Sequence, residues 1–462
     1  MKSFLRKHKV EAGIFLAIVA VRVLAFLFLL QVEPGLKFPF PLIEVDSREY
    51  YQIGLNLKES GIFSLDSNPP LEPDSFRTPV YPFLISLFLF LPGGVYSLVL
   101  FQSILSGFIG ALAYRLGLKF FSKTAGLFAA VIFALEPSAV FYSNMAMTET
   151  IFLLFLLSAL WFFLNSEGNF KSAIFSGVLL GLAAMTRPIG IFLPVLFAAL
   201  PVLFFKNLSF GKRAAFALIL VALSAAVVFP WVLRNKLEFN SWSPSSVSSF
   251  NLYYYNAMRF YMNRSGASFE DAKKIFDANI REKYGEAAAE NSLRNADIFK
   301  KEALAVILKE PARYVMFHLG TLAPFFLTDG LREMAQITKM VPREFMGLRD
   351  LFLAGDFRGF LSALKSGGSL SAMFVAGSLF FLIITLLMLA GFVRAAFDGN
   401  RRFAAVVIFS SIIILALLSG VVTTARFRYA VSPLIFILSG YGFEWLVAQL
   451  RKQNVGFAFY SS

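Results

Sequence analysis

The sequence contains no cysteine. That excludes a disulfide framework and a thiolate metal site, and it leaves the redox compartment undetermined. Histidine occurs only as His8 and His318, too few for a histidine-based metal centre. Charge is scarce as well: Asp, Glu, Lys and Arg make up 16% of the residues, with 29 acids against 43 bases. No glycine-rich nucleotide loop, nucleophile elbow or metal-binding histidine pair is present. A cytosolic nucleotide-sugar donor therefore finds little support. No internal repeat is evident.

What fills the chain instead is apolar. Of its 462 residues 57% are hydrophobic, 56 of them Phe, and the mean hydropathy is +0.68. No ordinary water-soluble domain has this composition. Runs of about 20 apolar residues, which at 1.5 Å each cross a hydrocarbon core, recur along the chain. The expected fold class is all-α, a polytopic transmembrane bundle of about 10–12 spans. A net charge of +14 would suggest nucleic acid in a soluble chain. Here it reflects Lys and Arg that stay cytoplasmic, set the orientation and meet anionic lipid. No nucleic-acid partner is expected.

Lys2, Arg6, Lys7 and Lys9 precede an apolar stretch over residues 12–30. No small-x-small cleavage site follows it, so an uncleaved first helix with a cytoplasmic basic end is expected. The run over 80–91 is short and bounded by Pro79 and Pro92, which favours a surface or re-entrant segment over a crossing. Further spans are expected at 95–118, 124–143, 149–165, 172–187, 189–206, 212–232, 371–393, 403–422 and 429–448. This assignment keeps Arg115, Lys119, Lys171, Lys206, Arg394, Arg401 and Arg451 inside. The stretch 312–370 holds His318 and Pro324 and is expected to be interfacial, or to cross in a pair with residues between Met346 and Leu364. The chain thus divides into an N-terminal membrane module (1–235) with an external loop (32–94), an external helical insertion (236–311), the segment 312–370 and C-terminal spans (371–462). Within the insertion, Ser241 to Asn256 reads as loop, and Phe269, Ile275, Phe276 and Ile280 mark an amphipathic helix.

The ionisable residues gather at span ends on the outer side. Asp46 and Tyr50 share a face if their loop is helical. Asp46 is open to two interpretations: a general base towards an acceptor hydroxyl, or an N-cap with Glu49 three residues on. Glu149 stands at the external mouth of a span, where acids are costly and are functional candidates by default. Arg77, Arg187, Arg234, Arg426 and Arg428 all fall outside, against the positive-inside trend. Arginine holds phosphate through a rigid fork of donors, so their convergence would suit a phosphate or pyrophosphate head group. Snorkelling to lipid head groups is the alternative. Arg22, within the first apolar stretch, receives no role.

Taken in order, these segments resemble the GT-C superfamily of integral-membrane glycosyltransferases, near the branch of protein O-mannosyltransferases (glycosyltransferase family 39) and the lipid A aminoarabinose transferase. The resemblance rests on Asp46 and Tyr50, Phe76-Arg77 before Pro79, and Met147-Thr148-Glu149. It continues through Gly181 to Arg187-Pro188, Pro230-Trp231 ahead of Arg234-Asn235, and Arg426-Phe427-Arg428 ahead of Pro433. It implies transfer of a sugar from a polyprenyl-phosphate donor to an acceptor hydroxyl on the extracytoplasmic face, with inversion. It implies Asp46 as catalytic base and Glu149 as a second acid on the acceptor side. Arg77, Arg187, Arg426 and Arg428 then bind the donor phosphate, with Tyr50, Tyr81 and Arg234 as substrate contacts. No cofactor and no metal ligand are implied, and divalent-metal dependence stays open. The acceptor is a protein, lipid or glycan. The second acid is often Asp in the aminoarabinose branch, and Glu149 departs from that. The expected setting is a bacterial or archaeal cytoplasmic membrane with the site facing out. A transporter or flippase of lipid-linked sugar is the alternative, although such proteins place polar sites near the bilayer midplane between repeats.

Overall fold

The computed structural model describes residues 8–338, 358, 362, 368–422 and 424–460. Among them every regular element is a helix. The chain opens with α1 (Lys9–Val32), then α2 (Val45–Ser60) and α3 (Val80–Phe88). There follow α4 (Val95–Phe120), α5 (Lys123–Leu135), α6 (Pro137–Ser143), α7 (Glu149–Leu164), α8 (Phe170–Thr186), α9 (Leu193–Phe204) and α10 (Phe210–Phe239). The insertion supplies α11 (Val247–Phe250), a π-helical turn (Asn251–Ala257), α12 (Met258–Ser265), α13 (Phe269–Tyr284) and α14 (Ala296–Ile307). Last come α15 (Pro311–Gly320), α16 (Ala323–Leu327), α17 (Leu331–Ile337), α18 (Gly368–Ala396), α19 (Arg402–Ser419), α20 (Ala425–Tyr429) and α21 (Ser432–Tyr460).

Side-chain caps fix where several of these helices begin. Ser122, Asn169, Ser209 and Ser268 each accept a hydrogen bond from an N–H of the first turn they precede. Such caps are worth about 1 kcal/mol apiece. Glu136 caps α6 in the same way, and Pro137 occupies its first position. Proline has no N–H, so the chain bends by 59° between α5 and α6. The bend leaves carbonyls at the end of α5 without helical partners. Arg22 of α1 takes them up, donating to Phe133 O and Ala134 O at 2.8 Å each. A fully buried arginine in a membrane helix thereby finds its partners in the backbone.

Among the described residues six helices (α1, α4, α10, α18, α19 and α21) are long and apolar enough to cross a membrane, or seven if the bent pair α5–α6 is one span. The segments α7, α8 and 188–204 are apolar but shorter. With 16 residues, α7 rises about 24 Å, less than a hydrocarbon core of ~30 Å. Every stretch expected to span is helical; these three lack full spanning length. Residues 80–91 yield only the short α3, nine residues long. The crossing weighed between Met346 and Leu364 falls almost wholly outside the described residues.

Small residues let the bundle close up. A Cβ on Gly117 of α4 would meet Gly126 Cα of α5 at 2.5 Å, so those backbones are in contact. Gly391 and Gly442 do the same for α18 and α21.

The insertion has its own core, in which Tyr253, Phe276, Ile280 and Phe299 are buried. Here the loop expected over Ser241 to Asn256 holds for residues 241–246 and is corrected from Val247 on, where α11 runs directly into the π-helical turn and α12. Tyr253 packs on Phe276 and Phe299 with ring centroids 4.8 and 5.6 Å apart. Burying such rings outweighs the weak helix preference of Ser, Asn and Tyr. Glu302 of α14 ties the core together, accepting from Asn279, Lys283 and Tyr284 at 2.8–2.9 Å. Beyond the insertion, α15 exposes Val315, Met316 and Leu319.

Candidate active site

α2 is amphipathic. Ser47, Tyr50, Ile53 and Gly54 face inward, and a Cβ on Gly54 would meet Ile85 of α3 at 2.5 Å. This seats the first turn of α2 against the bundle, with Asp46 and Glu49 on the rim. Asp46 lies inside the helix, one residue past its start, and its carboxylate is spent on arginines. The N-cap position belongs to Glu44, whose side chain makes no capping bond.

Arg77 ends the loop between α2 and α3. The Asp74 carboxylate accepts from Phe76 N (3.0 Å) and Arg77 N (3.4 Å), forming the turn that presents the guanidinium. Arg77 Nη2 donates to Asp46 Oδ1 at 2.6 Å, and its Nε donates to Glu49 Oε2 at 2.9 Å. The Tyr50 and Phe76 rings lie against it at 4.9 and 4.5 Å. Such stacking is a property of the planar guanidinium.

Arg426 arrives from α20. Its Nη2 donates to Asp46 Oδ2 at 2.5 Å and its Nε to Glu149 Oε1 at 2.8 Å. Glu149, the first residue of α7, is fully buried. The helix N-terminus favours a carboxylate there. Arg187, just past α8, completes the set at 2.5 Å from Glu149 Oε1 and 3.0 Å from Thr148 Oγ1. Acids and arginines thus alternate in one chain: Glu49, Arg77, Asp46, Arg426, Glu149, Arg187. They come from five segments as far apart as residues 46 and 426. Burial pushes the Asp46 carboxyl upward, but Arg426 and Arg77 outweigh it and hold the group well below the usual carboxylate range.

Of the other expected site residues, Tyr50 lies under Arg77. Tyr81 is buried behind Tyr50, with ring centroids 5.3 Å apart, and its hydroxyl donates to Gln102 Oε1 at 2.6 Å. Gln102 in turn donates to Ser143 O and Met145 O, bracing the segment that leads to Glu149. Arg234 is one step removed: it donates to Asp74 O at 2.7 Å, supporting the turn that carries Arg77. Arg428 is separate. It is buried, with its guanidinium 3.6 Å over Phe381, and donates to the carbonyls of Phe325 and Thr328 and to Glu136. Two residues apart on a helix, Arg426 and Arg428 point in different directions. Glu44 and Gln102 were not singled out from sequence, and Glu49 entered only as the i+3 partner of a capping Asp46. Among the described residues no group of three or more His, Asp and Glu stands close enough to hold a metal ion.

The insertion touches both arginine-bearing arms. Ser246 N donates to Ser75 O at 2.9 Å, Leu293 N to Ser75 Oγ at 3.0 Å, and Ser245 Oγ to Phe76 O. On the other side Asn256 abuts Gly420, in the turn just ahead of α20.

The family described as dolichyl-phosphate-mannose-protein mannosyltransferase matches residues 76–233, about a third of the chain, taking in Arg77, Glu149 and Arg187. No curated protein matches the sequence significantly. Among solved structures, the oligosaccharyltransferase AglB from Archaeoglobus fulgidus, solved with an inhibitory peptide and a dolichol-phosphate, superposes with a TM-score of 0.52 at 15% identity. That alignment covers 98% of this chain and 52% of AglB, so the chain spans about half the length of that relative. ArnT from Cupriavidus metallidurans, bound to undecaprenyl phosphate, aligns with a TM-score of 0.40 at 13% identity over 93% of this chain and 78% of its own. The family match over residues 76–233 and the fold shared with AglB make the chain similar to integral-membrane glycosyltransferases of the GT-C superfamily.

Proposed function

We propose that the protein transfers a sugar from a polyprenyl-phosphate donor to an acceptor hydroxyl at the extracytoplasmic face, with inversion. The observation that carries this is the convergence of Arg77, Arg187 and Arg426, from three distant segments, onto one rim of an apolar bundle. A sugar phosphodiester carries one negative charge, and the departing lipid phosphate carries two. The reaction therefore needs fixed positive charge where the second develops, and guanidinium forks supply it without reorganising. Arg77 and Arg426 meet at Asp46, and Arg187 stands beside the buried Glu149. Asp46 and Glu149 keep the guanidiniums apart and oriented when no phosphate is there. The proton of the acceptor hydroxyl goes to a carboxylate at the head of α2, the place the resemblance gives to Asp46. Tyr50 and Glu149 line the side from which the acceptor approaches. AglB, whose fold the chain shares, is a transferase solved with a dolichol-phosphate, which supports a lipid-phosphate ligand here.

Reconstituted protein tests this directly. Proteoliposomes holding a series of labelled undecaprenyl-phosphate sugars, supplied with envelope lipid, glycan and protein fractions, should yield a new glycosidic bond and free undecaprenyl phosphate. Arg77→Ala and Arg426→Ala should lose both products. Movement of the sugar lipid between leaflets with no new bond would instead make the protein a transporter.

A further inference from the structure

α20, which carries Arg426, is only five residues long and begins at Thr424 without a side-chain cap. So short a helix keeps its place through what it touches rather than through its own hydrogen bonds. Two of its side chains anchor it. Arg428 reaches away from the site, to the carbonyls of Phe325 and Thr328 and to Glu136. Tyr429 reaches towards it. The Tyr429 hydroxyl and Thr150 Oγ1 share a hydrogen bond at 2.9 Å, and both residues are fully buried. The tyrosine ring stacks on Phe133, with centroids 6.2 Å and planes 13° apart, and the Arg22 guanidinium stands 5.3 Å over Phe133.

Thr150 follows Glu149 directly, and Tyr429 comes three residues after Arg426. The shared bond therefore ties α20 to α7 beside the contact in which Arg426 Nε donates to Glu149 Oε1 at 2.8 Å. With Nε on Glu149 and Nη2 on Asp46, Arg426 Nη1 has no hydrogen-bond partner among the described residues, and it is not buried. That nitrogen is the donor left for a phosphate oxygen, and its position follows from where α20 sits on α7. We infer that Tyr429 is a positioning residue for Arg426, fixing α20 on α7 so that the guanidinium meets the charge that develops on the lipid phosphate. The inference rests on the transfer reaction proposed above. Tyr429 acts through Arg426: its own hydroxyl is spent on Thr150.

Tyr429→Phe keeps the ring on Phe133 and removes the shared bond. Displacing a reacting group by about 1 Å costs up to about 10²-fold. The kcat of Tyr429→Phe should accordingly fall about 10–100-fold with the donor KM within about twofold, as for an interaction realised in the transition state. Thr150→Val should lose as much, and the double variant no more, because each removes the same bond. Thr150→Ser, which keeps the hydroxyl, should retain turnover. Ser439→Ala is the control for general loosening. It removes a buried hydroxyl of α21 that donates to Ile384 O at 2.8 Å, and it should lower the unfolding temperature yet keep kcat.

A binding measurement separates the inference from the reaction. At about pH 8, above the second phosphate ionisation near 6, undecaprenyl phosphate is a dianion and its methyl ester a monoanion. Calorimetry in nanodiscs should show the wild type and Ser439→Ala favouring the dianion, and Tyr429→Phe losing about tenfold of that preference. Wild-type kcat or a wild-type preference in Tyr429→Phe, either alone, overturns the inference. So do equal losses in Ser439→Ala, or a wild type that binds both lipids alike. If Tyr429→Phe does not fold, Thr150→Val carries the same test. Should the wild type transfer no sugar, the transfer reaction falls, and the dianion preference still decides whether Tyr429 places Arg426.

Discussion

Arg426→Gln is the most informative single substitution, because Arg426 bridges two carboxylates and one of them, Glu149, is fully buried. At a charge separation of about 4 Å and an effective dielectric of about 20, each pair is worth ~4 kcal/mol before desolvation is subtracted. Its side chain is only 15% exposed, so that subtraction is large. The net cost of leaving a buried partner behind is about 3–5 kcal/mol. Glutamine keeps much of the volume and removes the charge. Thermal unfolding in detergent should therefore show a clear loss of stability, and transfer should fall about 10²–10³-fold, as for loss of a donor aimed at developing charge. The double variant Arg426→Gln with Glu149→Gln should recover part of the stability, because acids and arginines in the chain are again equal in number. Coupling of about 1–3 kcal/mol is expected for directly contacting groups. Stabilities that simply add, or a single variant as stable and active as the parent, would refute the view that these side chains form one coupled unit.

Asp46→Asn should remain inserted and folded while losing at least about 10²-fold in transfer, measured on protein whose detergent elution profile matches the wild type. Arg428→Ala should cost about 3–5 kcal/mol through its buried partners yet leave undecaprenyl-phosphate affinity unchanged, since Arg428 faces the bundle rather than the site. In the insertion, burial raises the Glu302 carboxyl, but bonds from Asn279, Lys283 and Tyr284 prevail and bring it down to about 2. A depressed carboxyl stabilises above its unfolded value and loses that stabilisation as pH falls towards the folded one. Protection against hydrogen exchange across α13 and α14, taken relative to the intrinsic rate at each pH, should accordingly fall between about pH 4.5 and 2, and Glu302→Gln should remove that fall. Equal acid sensitivity in both proteins would count against it.

The membrane character and the helices themselves were legible from apolar runs, because lipid leaves few alternatives to helix. The stretch that failed was residues 247–256, where residues of weak helical preference are held by aromatic packing that only the folded insertion provides. Arg77, Glu149 and Arg426 stood out because each is charged beside an apolar run. Their meeting did not, since no spacing rule relates residue 46 to residue 426. Arg426 and Arg428 illustrate the limit well. Two residues apart, they cannot both face one site, but the letters alone do not say which one does. Glu44 was passed over and Glu49 entered only as a capping partner of Asp46, because an acid near a helix start is ordinarily read as a cap.

The grip of the insertion on Ser75 and Phe76, and its contact with Gly420, has a mechanical consequence. The segments that carry Arg77 and Arg426 both lie against the insertion, so a shift of the insertion reaches both guanidiniums. Trimming or grafting the insertion should therefore retune the distance between them without altering a charged side chain of the chain from Glu49 to Arg187.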